Sequence, residues 1–326
     1  MFPQRRMRRV RKRTIQHLVK ETTITKDDLI APLFIDEKIS DIFPIPSMPG
    51  QFRYPIRSVG EVTRRLRDAG IRAVILFGIP LKKDAIASGA YAEDGVVQQA
   101  VRIIRTTVPD MVIITDLCAC EFTDHGHCGI ISSESCEIEP ENDTSLELMQ
   151  KIAVSQAASG ADIVAPSCML DGMVASIRDA LDRAGFYQVS IMSYSSKFAS
   201  SLYGPFRDAA DSGFTSGDRT TYQINVANKR EAFLESELDA AEGADFLMVK
   251  PGGWFLDIVS DITDLGLPVV VYQVSGEYAM IRAAVQNGWL DEKKTVLESL
   301  ICIKRAGASL IITYFAEDVC RWLDEM

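Results

Sequence analysis

The sequence predicts an α/β fold, a TIM (β/α)8 barrel with an extended basic N-terminal arm. Three observations support this prediction: eight short apolar runs rich in β-branched residues, helical patterns between them, and polar side chains where the runs end. The runs are continuously apolar, which is typical of strands buried on both faces of a parallel sheet. Eight strand-then-helix units in 326 residues fit one barrel, and a doubly wound sheet is the alternative.

The predicted strands leave room for a helix after most of them. They span residues 29–35, 73–79, 111–117, 162–167, 189–195, 246–251, 268–274 and 309–315. The spacing of apolar residues predicts amphipathic helices at 59–69, 145–158, 173–184, 229–242 and 278–287. Glycines suited to helix ends are Gly70, Gly160, Gly185, Gly243, Gly288 and Gly307. We therefore predict an arm at residues 1–25 and a single catalytic barrel at residues 26–326.

Charge and cysteine content restrict the function. The net charge of −10 argues against a general nucleic-acid binder, although residues 5–13 hold seven basic side chains. That segment suits a nucleic-acid arm, a targeting peptide or a subunit contact, and we favour a solvated or subunit-docking arm. No run approaches the ~18 apolar residues of a membrane span. The seven cysteines, at 118, 120, 128, 136, 168, 302 and 320, suit a metal site in a reducing cytoplasm better than a disulfide framework.

Polar residues collect where the predicted strands end, and active sites of this barrel lie at the C-terminal ends of its strands. They are Asp116, Ser167, Lys197, Lys250, Tyr272, Ser275 and Tyr314. A core hydrogen bond explains any single one of them, but six strand ends agree. Lys197 lies in Ser-Tyr-Ser-Ser-Lys-Phe and Lys250 in Met-Val-Lys-Pro. A lysine attacks a carbonyl when burial or positive charge lowers its pKa, so two such lysines, helped by a metal, indicate carbonyl chemistry.

Three thiols follow the third predicted strand with the spacing C-x-C-x7-C: Cys118, Cys120 and Cys128. Three soft ligands with one open position are the pattern of a catalytic zinc site. Three reduced cysteines without a metal are the alternative. His125 and His127 lie in the same segment. They are either further ligands or groups that support the ligands, and we favour support because the sulfurs suffice for a zinc site.

Two arginines, Arg207 and Arg219, follow the fifth predicted strand. A guanidinium pairs bidentately with a carboxylate, so the pair favours a carboxylic-acid substrate. Taken singly, either arginine would more often be an ordinary surface salt-bridge residue.

Together these residues resemble the porphobilinogen synthase (5-aminolevulinate dehydratase) family over nearly the whole chain. Closely similar stretches lie at 116–130, 162–172, 193–209, 217–223, 246–251, 272–278 and 312–316. The resemblance implies that two 5-aminolevulinate molecules condense to porphobilinogen with loss of two waters, in tetrapyrrole (heme) synthesis. It also implies a TIM barrel that assembles as a homo-octamer through the N-terminal arm.

The resemblance implies a role for each matching residue of the first subsite. Lys250 matches the lysine that forms a Schiff base with the substrate giving the propionate side of the product. Ser275 and Tyr314 match the groups that hold its carboxylate, and Tyr272 matches the ring beside the imine.

A second subsite follows from the same resemblance. Lys197 matches the second Schiff-base lysine, on the acetate side. The residues that match the carboxylate-binding groups there are Arg207, Arg219 and Gln223. Asp116 and Ser167 match residues that line this subsite and assist proton transfer or amine binding.

The resemblance also assigns the metals. Cys118, Cys120 and Cys128 match the ligands of the zinc-dependent members of the family. Glu231 matches a glutamate that helps to bind an allosteric magnesium ion in some members, although its neighbours in Asn225-Val-Ala-Asn-Lys-Arg-Glu231 differ from the usual Asp-Pro-Ala-Asn-Arg-Arg-Glu.

The sequence departs from the family pattern at two further places. Pro-Gly-Gly-Trp-Phe at residues 251–255 stands where Pro-Ala-Leu and a tyrosine are usual, and Cys168 stands where an aspartate is usual. Cys168 is either a small buried apolar residue, which we favour, or an extra thiol near the site. Two rival functions remain. A class I aldolase needs only one lysine and no thiolate metal site, and a repurposed or inactive paralogue need not keep all these groups.

Overall fold

A computed structural model describes residues 3–131, 139–213 and 218–325; Cys136 lies outside these ranges. Its strands are β1 (Leu29–Asp36), β2 (Phe43–Pro44), β3 (Phe52–Tyr54), β4 (Ala73–Ile79), β5 (Val112–Leu117), β6 (Ile163–Pro166), β7 (Ser190–Lys197), β8 (Phe246–Lys250), β9 (Val269–Gln273) and β10 (Leu310–Thr313). Eight of them pair in parallel in the order β1, β4, β5, β6, β7, β8, β9, β10. Because β10 also pairs with β1, at Leu29 with Ile311, the sheet closes. The TIM barrel is confirmed, and the doubly wound sheet is excluded.

Helices cover the outside of this sheet. They are α1 (Arg6–Val10), α2 (Val59–Asp68), α3 (Val96–Thr107), α4 (Asn142–Ala158), α5 (Met173–Arg183), α6 (Gly204–Ala209), α7 (Lys229–Glu242), α8 (Leu256–Ile262), α9 (Ser275–Gln286), α10 (Glu292–Ala306) and α11 (Ala316–Asp324). Packing of helices on the strands buries both faces of the sheet, as the continuous apolar runs require. No described helix is long and apolar enough to cross a membrane.

The predicted elements agree with the structure except at some ends. The fifth strand, predicted to stop at residue 195, continues through Lys197. Helix α9 begins at Ser275, three residues before the predicted start at 278, because Glu277 accepts the Val274 backbone N–H and caps the first turn. All six predicted helix-stop glycines have positive φ, from +71° at Gly288 to +121° at Gly307. The β2–β3 hairpin and six of the helices (α1, α3, α6, α8, α10 and α11) were not among the predicted elements.

The arm precedes the barrel and is largely exposed. Helix α1 has no buried residue. In the part of the chain that the structure describes, none of the seven basic side chains at positions 5–13 pairs with a carboxylate of this chain. Its charges are therefore available to solvent or to another molecule.

One glycine has no room for a side chain, because helix α9 packs closely against the chain before α6. A Cβ on Gly276 would lie 2.6 Å from the Leu202 carbonyl oxygen and 2.8 Å from the Leu202 Cα. We expect Gly276→Ala to lower the free energy of unfolding by about 1–3 kcal/mol, the usual cost of overpacking. Urea unfolding measures the change. Gly204→Ala is the control, since nothing lies within 4 Å of its Cβ position; equal stability of the two variants would contradict the prediction.

Candidate active site

Two buried lysines lie side by side at the C-terminal mouth of the barrel. Lys197 is the last residue of β7 and Lys250 is the last residue of β8, and the two are paired in register. Their exposed fractions are 4% and 5%. Within the described ranges, neither ammonium forms an ion pair with a carboxylate. The barrel therefore holds two amines together in its interior, as the sequence predicted.

Aromatic rings surround the Lys250 amine. Its Nζ lies 4.5 Å from the ring centroid of Tyr272, 4.8 Å from that of Phe206, 5.0 Å from that of Tyr194 and 5.2 Å from that of Tyr203. Burial, followed by the charge of Lys197, lowers the pKa of Lys250 to about 7. A large fraction of this amine is therefore uncharged and nucleophilic at neutral pH.

This pKa predicts how Schiff-base formation at Lys250 depends on pH. Only the free amine attacks a ketone, so the trapping rate with a keto acid and cyanoborohydride should rise with pH through a midpoint near 7. Peptide mapping distinguishes the adduct on Lys250 from one on Lys197. Lys197→Met removes a positive charge, so it should shift the midpoint upward. A midpoint near 10.5, the ordinary value for lysine, would contradict the prediction.

Lys197 has a different environment. Its Nζ donates a hydrogen bond to the Ser167 carbonyl oxygen and lies 5.3 Å from the ring centroid of Tyr194. Burial lowers its pKa, but the nearby thiols Cys128 and Cys118, in their negatively charged form, outweigh burial and the pKa is raised. The lowered pKa that we expect of both lysines is found at Lys250, whereas the negative charge of the thiols raises the pKa of Lys197. A cation bound by these sulfurs would offset their negative charge and so lower the pKa of Lys197.

Two buried carboxyl groups accompany the lysines. Asp116, in β5, accepts a hydrogen bond from the Ser167 hydroxyl at 3.2 Å, so the structure brings together two residues that the sequence predicted. Burial, followed by the charge of Glu121, raises the pKa of Asp116 to about 7. Glu121 is a site residue that the sequence reasoning missed. One feature of the sequence indicates this role: Glu121 is an acidic residue next to Cys120, in a segment that is buried.

Three thiols converge next to these groups. The sulfurs of Cys118, Cys120 and Cys128 lie within 4.8 Å of one another, and all three side chains are buried. The Cys118 and Cys120 sulfurs are 3.2 Å apart. Interactions with Cys118 and Cys120 hold the pKa of Cys128 well below its usual range. A buried set of three soft donors, one readily ionised, fits a zinc-type ion.

The two histidines lie outside this group of donors. His127 Nδ1 is 3.1 Å from the Tyr222 hydroxyl oxygen, and the His127 backbone N–H donates to His125 Nδ1 at 3.1 Å. Neither imidazole belongs to a convergent metal-binding group among the described residues. These contacts lie within this segment and with Tyr222.

Arg219 and Gln223 present buried donors on the Lys197 side. Arg219 Nη2 donates to the carbonyl oxygens of Gly126, at 2.9 Å, and Ser212, at 3.2 Å. Its Nε and the Gln223 Nε2 are buried without a hydrogen-bond partner in the described chain. Arg207 lies close enough that burial and the Arg219 charge lower its pKa. Buried donors beside two guanidinium groups suit a bound anion, and Arg219 is not an exposed salt-bridge residue.

Of the predicted groups of the first subsite, Tyr272 contacts the Lys250 amine directly and Tyr314 contacts Tyr272. The hydroxyl oxygens of Tyr272 and Tyr314 are 2.9 Å apart. The Ser275 hydroxyl accepts the Phe206 backbone N–H at 2.9 Å and donates to the Leu202 carbonyl at 3.3 Å. Ser275 thus also fixes the segment that carries Phe206 against the Lys250 amine, a contact that the sequence did not predict.

The unusual residues after Lys250 pack against a buried glutamate. Glu277 accepts the backbone N–H groups of Gly253 at 2.7 Å and Val274 at 2.8 Å. A Cβ on Gly253 would collide with the Glu277 carboxylate. Phe255 stacks on Phe198, with ring centroids 4.0 Å apart, whereas Trp254 is 64% exposed. The glycines therefore let Glu277 join the turn after β8 to the turn after β9, and Trp254 does not fill the site.

Glu231 lies away from the lysines, near the start of α7. It accepts a hydrogen bond from Asn228 Nδ2 at 2.6 Å. It belongs to no convergent group of metal donors in the part of the chain that is described.

Comparisons with known proteins agree with this geometry. A sequence model of the family described as delta-aminolevulinic acid dehydratase matches residues 4–322. The delta-aminolevulinic acid dehydratase of Halalkalibacterium halodurans is 52% identical over 98% of this chain and 97% of its own length. That of Staphylococcus aureus is 50% identical over 96% of each chain. A crystal structure of the Toxoplasma gondii enzyme, also called porphobilinogen synthase, with its product porphobilinogen superposes with a TM-score of 0.96 at 40% identity, covering 100% of this chain and 93% of that one.

Proposed function

This chain belongs to the delta-aminolevulinic acid dehydratase family, and we propose a role in the reaction for each residue of its candidate active site. The reaction condenses two molecules of 5-aminolevulinate to porphobilinogen and releases two waters, which makes the protein a hydro-lyase of tetrapyrrole synthesis. The observation that carries the proposal is the paired burial of Lys197 and Lys250 at one barrel mouth. An aldolase with one lysine and no thiol cluster does not account for this arrangement.

In this proposal Lys250 is the first of the two lysines to react with the ketone of a substrate. Its lowered pKa supplies the free amine, and attack on the ketone forms an imine and releases one water. The imine withdraws electrons, so loss of a proton from the adjacent carbon becomes easier. The rings of Tyr272 and Phe206 exclude water from that imine. Tyr314 and Ser275 are assigned to the carboxylate of this substrate.

Lys197 holds the second substrate by the same chemistry. Arg207, Arg219 and Gln223 are assigned to its carboxylate, because buried donors of Arg219 and Gln223 lack protein partners in the described ranges. Asp116, with its raised pKa and its bond to Ser167, is suited to carry a proton between donor and acceptor near neutral pH.

Cys118, Cys120 and Cys128 would hold a zinc ion beside this second subsite. When bound, zinc supplies a Lewis acid that polarises a coordinated oxygen or lowers the pKa of a coordinated water. The chain contributes a buried set of three sulfurs to hold it. A magnesium ion near Glu231 would be a separate, regulatory site.

We also propose the assembly and location of the protein. The exposed basic arm at residues 1–25 is a subunit contact of a homo-octamer, and residues 26–326 form the catalytic barrel. The basic side chains of the arm support this assignment, because they form no ion pair with a carboxylate among the described residues. The proposed location is the cytoplasm, because the thiol site requires reducing conditions, and no nucleic-acid or membrane partner is required.

Replacing Arg219 should weaken binding of the second substrate. Arg219→Gln removes the charge and most of the donors, and we expect KM for 5-aminolevulinate to rise about 10- to 100-fold, which corresponds to one charge-assisted hydrogen bond. Trapping at Lys250 should continue. Arg102→Gln, on helix α3, is the control. An unchanged KM, or loss of trapping at both lysines, would contradict the assignment.

The test of the proposed function is porphobilinogen formation by the purified protein, measured colorimetrically with zinc, after chelation, and after zinc is restored. Product that disappears on chelation and returns with zinc supports both the synthase and its thiolate site. Product that still forms after chelation would contradict the zinc site but not the synthase activity. No product under any condition would indicate a repurposed paralogue, and residues 252–255 would be the first place to look.

A further inference from the structure

A fourth buried thiol lies against the three that converge. Cys168 follows β6 by two residues and has no exposed surface. Its Sγ is 3.6 Å from the Cys118 Sγ and 3.6 Å from the Met149 Sδ. This is the position where the sequence departs from the aspartate that the family resemblance leads us to expect.

The position of Cys168 excludes it from the convergent donor set. The sulfurs of Cys118, Cys120 and Cys128 lie within 4.8 Å of one another, and Cys168 joins no such group in the described ranges. Its thiol contacts Cys118 most directly, at 3.6 Å, and also interacts with Cys128. The Met149 Sδ, at 3.6 Å, and the Leu117 carbonyl oxygen, at 3.9 Å, lie beside it. A thiol in this place can donate S–H to the Cys118 sulfur but does not lie where a fourth ligand would.

The backbone around Cys168 is held firmly in this arrangement. Met169, the next residue, has a φ of +60°, a left-handed conformation that costs a non-glycine residue about 1 kcal/mol or more. Ser167 is fixed on the other side, because its N–H donates to the Leu117 carbonyl at 3.1 Å and its carbonyl accepts from Lys197 Nζ. The chain is therefore fixed by two hydrogen bonds at Ser167, directly before Cys168, which holds the Cys168 side chain near Cys118.

We propose that Cys168 is a positioning residue for the metal site: its thiol donates a hydrogen bond to Cys118 and orients that sulfur toward the ion. The inference rests on the proposed zinc site. Groups that hydrogen-bond to metal ligands fix the ligand geometry, and their loss typically lowers metal affinity about 10- to 100-fold. A neutral thiol does this without the added negative charge that an aspartate would place beside three sulfurs.

The experiment compares Cys168→Ala, Cys168→Ser and Cys320→Ala with the wild type. Serine keeps a donor at position 168, whereas alanine does not. Cys320 is an equally buried thiol in α11, away from the cluster, so its loss controls for removal of a core sulfur. Zinc affinity is measured by competition with a chromophoric chelator, and urea unfolding of the metal-free proteins reports any loss of folding.

We expect Cys168→Ala to bind zinc about 10- to 100-fold more weakly than the wild type, with Cys168→Ser in between and Cys320→Ala unchanged. Equal affinity of the alanine variant and the wild type, or equal weakening in serine and alanine, would overturn the hydrogen-bonding role.

The cobalt-substituted proteins provide a second readout. The sulfur-to-cobalt absorption should keep the intensity of three thiolates in Cys168→Ala, and loss of one thiolate's share would show a direct ligand and overturn the proposal. A wild type that binds no zinc would instead contradict the proposed metal site itself.

Discussion

Lys250→Met should abolish porphobilinogen formation, lowering kcat/KM by about 10⁴-fold or more, as removal of a covalent catalytic group commonly does. Methionine fills a similar volume but cannot form an imine. Borohydride trapping with 5-aminolevulinate should then leave no adduct at position 250. The colorimetric assay and mass spectrometry of the trapped protein measure the two effects.

Loss of folding does not explain that result. The folded-state pKa of Lys250 is about 7, below the ordinary value of 10.5. A group with a lowered pKa in the fold disfavours the folded state when it is protonated, and this penalty grows as pH falls from 10.5 towards 7. The methionine variant should therefore be at least as stable as the wild type at neutral pH. Lys151→Met, on helix α4, is the matched control, and activity within 100-fold of wild type in Lys250→Met would contradict the assignment.

Cys128→Ala should have the second largest effect, because it removes one of three sulfurs and the one most readily ionised. Lewis-acid stabilisation by a bound metal contributes several kcal/mol, and about 4 kcal/mol corresponds to roughly 10³-fold in rate. We expect that loss of activity together with loss of stoichiometric zinc, measured by elemental analysis. Added zinc should restore little of the activity, since the site itself is incomplete.

Cys320→Ala is the matched control for this variant too, because both thiols are fully buried but Cys320 lies in α11, away from the cluster. It should keep both zinc and activity. Trapping at Lys250 should survive in Cys128→Ala, which separates the metal from the first imine. Full activity of Cys128→Ala without bound zinc would show that the three thiols are not needed for the reaction and would contradict this prediction.

The fold was largely predictable because its strands are buried on both faces. Runs such as residues 73–79 are apolar throughout, and β4 spans those same residues. The hairpin of β2 and β3 was not predictable in this way, since strands of two and three residues show no periodicity. Helix α11 was not predicted, and the eighth strand, predicted to run through residue 315, ends at Thr313.

The candidate site was predictable where it depends on strand ends, since barrel closure brings those ends together. Lys197, Lys250 and Asp116 were found in that way. The groups that set their properties were not, because they come from elsewhere in the chain: Phe206 covers Lys250 from helix α6, and Glu277 joins two turns from helix α9. Such contacts depend on side-chain directions in the folded barrel, which no local pattern contains.

The proposed reaction starts from two identical molecules and ends in a ring with two different side chains. The protein must therefore treat the two identical substrates differently. The neighbouring strands β7 and β8 do this. One amine ends among four rings and the other ends near thiols and guanidinium groups. The two substrate molecules are therefore distinguished only by the lysine to which each is bound. If the surroundings of the two lysines were exchanged, the molecule on Lys197 would give the propionate side of the ring and the molecule on Lys250 the acetate side.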